Sequence, residues 1–210
     1  MVKTIIFTLV FFTLIVLTGL TVGSLTYYLT RRILYTMVVV QATFFMLSTI
    51  IIFYVSKGRL GKYGFKVNFH YSILSFLTSL GVAFPLSLVS TYFSKGFSPR
   101  ILSENFYGVL FVSLFLAPVG EETLFRGLLE GYLLEKGGRK VAVIFPAILF
   151  SLIHVLPYYR TPLTYLILLL VNAFILSIVA GYFRLKSSSL VPAYLTHATF
   201  NLVGMVIWLF

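Results

Sequence analysis

A chain of 210 residues, 60% hydrophobic and only 10% charged, with a mean hydropathy of +1.03, has the length of one domain and excludes a water-soluble one, because soluble domains carry roughly 25% charged residues. The formal charge of +11 comes from 16 Lys and Arg against five acids, all Glu. These bases sit in short gaps between apolar runs, where topology signals and lipid headgroups account for them and a nucleic-acid partner does not. The lack of cysteine removes disulfides, thiolate metal sites and thiol nucleophiles.

Charges divide the chain into uncharged runs at 4–30, 33–56, 67–94, 105–120, 141–159, 161–183 and 187–210. About 20 helical residues cross a ~30 Å hydrocarbon core, so the pattern predicts an all-α, polytopic transmembrane bundle of about seven spanning helices. The first run is longer than a signal-peptide core and has no convincing cleavage site, so it reads as a span. The fourth run is short, but continued through Leu134 it becomes a helix of about 30 residues that carries charges. Gly, Pro and Ser mark the intervening turns, among them Ser56 to Lys66, Ser94 to Glu104 and Arg184 to Ser189. With seven spans, ten Lys and Arg fall on one side, including Lys3, and five on the other. That asymmetry places the chain in the cell membrane with the N-terminus in the cytoplasm and the C-terminus outside.

Chemistry concentrates in the charged fourth helix. Glu121, Glu122 and Arg126 lie within six residues, and each ionised group near the centre of a span costs roughly 2.5–3.5 kcal/mol. Glu122 and Arg126 are spaced i, i+4 and stack on one face, so they can pair. Glu121 points about 100° away and has no partner within the motif, which suits a general base. A helix-locking salt bridge is the plainer alternative. Glu130 and Glu135, near the end of the same helix, are expected at the interface and solvated. His154 ends a Phe150-x-x-x-His154 pattern, while His197 and Asn201 share a helical face. His70 is expected at the interface. One membrane histidine is often a helix–helix hydrogen-bonding residue; two, with a carboxylate and an Asn, supply proton carriers and oxyanion donors.

Glu121-Glu122-x-x-x-Arg126, Phe150-x-x-x-His154 and His197-x-x-x-Asn201, in this order, resemble the CPBP family of intramembrane proteases, which includes the type II CAAX prenyl endopeptidases and the bacteriocin-processing, Abi-like members. Ala117-Pro118, Phe125-Arg126-Gly127 and Gly181-Tyr182-Phe183 ahead of Ser189-Leu190 add to the resemblance, which covers about residues 105–205. It implies a division into N-terminal helices without signature (1–104) and a catalytic core (105–210). It also implies an intramembrane endopeptidase acting on a membrane-associated protein or peptide, including prenylated CAAX-type clients. In that mechanism Glu121 and His154 activate water, His197 and Asn201 hold the oxyanion, and Glu122 and Arg126 pair and orient. A metal-free glutamate-type reaction is favoured. A zinc site on Glu121, His154 and His197 stays open as the alternative, although no His-Glu-x-x-His helix is present. The rival readings are a proton-coupled transporter, disfavoured by the lack of internal repeats, and a non-catalytic immunity or scaffold protein.

Overall fold

The computed structural model describes residues 2–94 and 105–209; the Ser94-to-Glu104 turn expected from sequence, with Lys95 and Arg100, lies outside them apart from its first residue. Long helices dominate, and there is no strand among the described residues. The helices are α1 (Val2–Thr30), α2 (Ile33–Val55), α3 (Ser72–Ser94), α4 (Phe106–Lys136), α5 (Arg139–Tyr158), α6 (Leu163–Ser187) and α7 (Val191–Leu209). Six of them are long and apolar enough to cross a bilayer. The seventh, α7, has 19 residues, its apolar character diluted by Thr196, His197 and Asn201. The chain is therefore an all-α polytopic bundle, as the charge-punctuated runs predict.

α4 is the axis of the bundle. Half of its most apolar stretch is buried, against 17–28% in the other five apolar spans. α2 packs along α4, α7 crosses it, and α3 packs on α7 and α6. Leu124, Phe125, Leu128 and Leu129 of α4 are fully enclosed with Ile15, Ile52, Phe150 and Ala193. Outer faces such as Leu14, Ile50, Phe84 and Val171 stay exposed, the pattern of a protein whose solvent is hydrocarbon.

α4 is not uniformly α-helical. Two stretches, Val112–Leu116 and Thr123–Glu130, take the wider π form, which appears chiefly as local bulges at functional positions. Sequence periodicity gives no sign of them, and both lie beside the acidic pair.

Two sequence expectations are corrected. Glu130 is not solvated at an interface: it is enclosed at 1% exposure, because α4 runs on to Lys136 and α6 packs over it, with Glu130 Oε2 only 3.1 Å from where a Cβ on Gly181 would sit. Arg184 does not open a turn. It belongs to the last turn of α6, which continues to Ser187, and its buried guanidinium donates to Lys62 O at 3.2 Å. Gly64 makes that possible: its φ of +91° suits glycine, and a Cβ there would lie 2.6 Å from Arg184 Nε. The 56–71 loop is further fastened to the α6–α7 corner by Asn68 to Ser187 O and Ser189 to Lys66 O. Tyr63, buried in that loop, donates to Glu135 at 3.2 Å, and burial beside this carboxylate pushes its phenol well above the usual range. His70 is exposed just before α3.

Candidate active site

Glu121, Glu122 and Arg126 lie near the midpoint of α4, with His154 and His197 brought in from α5 and α7. Glu122 is fully buried, and its two oxygens are engaged separately. Oε2 lies 3.1 Å from Arg126 Nε and Oε1 accepts from His197 Nδ1 at 2.8 Å. Arg126 in turn donates to the carbonyl and hydroxyl of Ser177 on α6, at 3.0 and 2.7 Å. Its guanidinium sits 5.0 Å from the Phe150 ring centre, a cation–π contact. A buried charge without a partner is costly, and here each is met by an opposite charge, a dipole or a ring.

Glu121 is placed differently. Gln41 Nε2 of α2 donates to its Oε1 at 2.7 Å. Its Oε2 has no hydrogen-bond partner and faces His197 Nε2 at 3.9 Å. The side chain keeps 12% exposure where Glu122 has none, so Glu121 is the member of the acidic pair that reaches open space. The close approach of α2 depends on Gly120, where a Cβ would meet Gln41 Oε1 at 2.5 Å and Gln41 O at 2.6 Å.

That open space is a cavity of about 360 Å³ lined by Glu121, His154, His197 and Asn201 together. Phe150 O accepts from His154 Nδ1 at 2.7 Å, which fixes the tautomer and leaves Nε2 as the ring's free nitrogen. The Phe150 ring packs against both His154 and His197.

Asn201 is held by a consequence of local sequence. Ala117 N–H bonds to Val112 O, one residue further back than in an α-helix. The next amide along is Pro118, which has no N–H. Ser113 O is thereby deprived of its ordinary helical donors, and Asn201 Nδ2 donates to it at 2.8 Å. Ala117-Pro118 thus anchors the Asn201 amide through the carbonyl that it frees, and the second amide hydrogen of Asn201 remains for the cavity.

Residues 103–203 match the family model described as type II CAAX prenyl endopeptidase, Rce1-like. Over this stretch, just under half of the chain, the sequence is similar to that family. The match runs from α4 into α7, the helices that carry Glu121, Glu122, Arg126, His154, His197 and Asn201, in a chain whose six long apolar helices make it a multi-pass membrane protein. No curated protein and no solved structure matched the chain.

The Rce1-like stretch does not build the site alone. Gln41, Ser87 and Ser90 come from helices outside it, as does Met37 at the rim. Sequence reading missed Gln41 although it is the one carboxamide in an apolar α2, the kind of intramembrane polar residue that asks for a partner. Asn172, which donates to Ser90 at 2.8 Å across the cavity wall, carried the same signal in α6. Ser177 gave none, since a serine can satisfy itself on its own helix.

Proposed function

We propose that the chain is a metal-free intramembrane endopeptidase in which Glu121 activates water. The observation that carries this reading is the contrast within the acidic pair. Glu122 is fully buried and paired with Arg126 and His197, whereas Glu121 lines the cavity with a side chain that keeps 12% exposure, and its Oε2 has neither a hydrogen bond nor an arginine partner.

The water's oxygen attacks the scissile carbonyl carbon while Glu121 Oε2, the oxygen that Gln41 leaves without a hydrogen bond, takes a proton. His154 Nε2 is the second acceptor for that water. Negative charge forms on the former carbonyl oxygen, where His197 Nε2 and the remaining Asn201 amide hydrogen donate. With Nδ1–H given to Glu122, donation from Nε2 needs the doubly protonated ring. Glu121, Glu122, Arg126 and His197 then sum to zero charge, the condition that a low-dielectric site favours. Collapse breaks the C–N bond, and the proton held on Glu121 passes to the leaving nitrogen.

The reaction is written without a metal because the candidate donors are not gathered closely enough to share one ion. Among the described residues, no three His or Glu side chains are gathered as a ligand set. In this reading residues 105–210 form the catalytic core, 1–104 support it, and α1 begins on the cytoplasmic side. The test compares cells with wild type and Glu121→Gln at equal expression and maps new peptide termini in the membrane fraction. Termini that vanish in the variant are expected. Identical profiles from folded, abundant proteins would move the reading to a transporter or scaffold.

A further inference from the structure

Glu130 is an enclosed carboxylate that the proposed reaction does not use. It follows Glu122 and Arg126 at four-residue spacing, which sets three alternating charges near one face of α4. α6 packs on that face and answers it position by position. Ser177 accepts from Arg126, Gly181 leaves room for Glu130 Oε2, and Arg184 comes within the next turn. Glu130 thus lies between two guanidinium groups. Arg184 is the opposite charge that acts on it most and Arg126 the next. Glu130 is in turn the first charge acting on Arg184.

These contacts extend the pairing of the active site into a column of charge. In order it holds His197, Glu122, Arg126, Glu130 and Arg184, and Arg184 ends it on the Lys62 carbonyl of the 56–71 loop. The two glutamates and two arginines are 0–2% exposed and cancel in charge. So little water reaches them that losing one charge is felt along the whole column. Glu130 Oε1 and Arg126 Nη1 both lack a hydrogen bond, which leaves charge as the means by which Glu130 acts on Arg126.

We infer that Glu130 is a positioning residue: by balancing the arginines on either side, it leaves Glu122 with one oxygen for His197 Nδ1. With Glu130 neutral, Arg126 and Arg184 keep only Glu122 as a counter-charge in the column. Glu122 is then drawn onto Arg126 with both oxygens, as the planar fork of a guanidinium favours, and His197 loses its anchor. The surplus positive charge also opposes a doubly protonated His197, the form that donates to the oxyanion. The effect on cleavage rests on the protease reading; the coupling of Glu130 to His197 does not.

The chain has three histidines, so isotope-labelled rings can be followed by NMR in detergent, with His197 assigned by the signals lost in His197→Gln. Glu130→Gln leaves surplus positive charge and Arg184→Gln surplus negative charge. The two are expected to move the His197 signals in opposite senses, and the double variant to return them close to wild type. On a peptide spanning a Glu121-dependent cut, Glu130→Gln is expected to lower kcat about tenfold with KM nearly unchanged, and the double variant to recover most of that loss. Wild-type His197 signals or wild-type kcat in Glu130→Gln, or a double variant no better than either single one, would overturn the inference, since a purely structural pair gives no rescue. If Glu130→Gln fails to accumulate, Arg184→Gln and the double variant decide, the double being expected closer to wild type. Coupled His197 signals in a wild type that cuts nothing would sink the protease reading and leave the charge column standing.

Discussion

Adjacent glutamates in α4 meet opposite environments, and their substitutions are expected to separate accordingly. Glu121→Gln keeps the Gln41 contact through its remaining carbonyl oxygen but loses the carboxylate proposed as the base. Its kcat is expected to fall by about 10²–10⁴-fold, with the melting temperature in detergent unchanged. Glu122→Gln leaves Arg126, buried at 1% exposure, facing a neutral amide. Breaking a buried pair costs about 3–5 kcal/mol, so this variant is expected to show a lower melting temperature and yield as well as lost activity. Asn201→Ala removes the proposed oxyanion donor and is expected to lower kcat about 10²–10³-fold. Treatment of purified wild type with a strong chelator is expected to leave cleavage intact. Loss on chelation, restored by zinc, would return Glu121, His154 and His197 to the role of ligands.

At the scale of the element, α4 trades regularity for function. Its Pro118 interrupts the backbone ladder, the helix widens over Val112–Leu116, and the freed Ser113 carbonyl is taken by Asn201. Pro118→Ala returns an N–H to the helix and removes a penalty of up to ~3 kcal/mol. The thermal midpoint is therefore expected to hold or rise. The restored amide competes for Ser113 O, so Asn201 loses its anchor and kcat is expected to fall about tenfold, since small displacements of catalytic groups are costly. A simultaneous loss of stability and activity would show instead that Pro118 serves packing alone. This is also where sequence reading stops short. Charge punctuation located α4 and its continuation through the acids to Leu134, two residues short of its end at Lys136, because ionised residues in a span are visible at once. It could not locate the π turns, since hydrogen-bond register leaves no mark on composition. For the same reason the solvated position expected for Glu130 was wrong: its burial depends on α6 passing at Gly181, a contact set by tertiary packing.

On the scale of the whole molecule, the chemistry-bearing residues were legible in the last four helices because each is a polar group in an apolar run. The completion of the site by the first three was not, because those helices carry no shared motif and pair with the core only in space. Gln41 is the sharpest case: it lies 80 positions from Glu121, and only the close passage of α2 over Gly120 brings them together. If Gln41 positions the base, Gln41→Leu should lower kcat on the order of 10- to 100-fold with KM nearly unchanged. A purely structural role would reduce folded protein and leave the turnover of what remains intact. The double variant decides between them. In a Glu121→Gln background there is no base left to position, so Gln41→Leu should cost almost nothing further in kcat, a coupling that equals most of its single effect. Additive losses would mean that α2 supports the bundle without acting through Glu121, and that the catalytic unit is confined to α4–α7 after all.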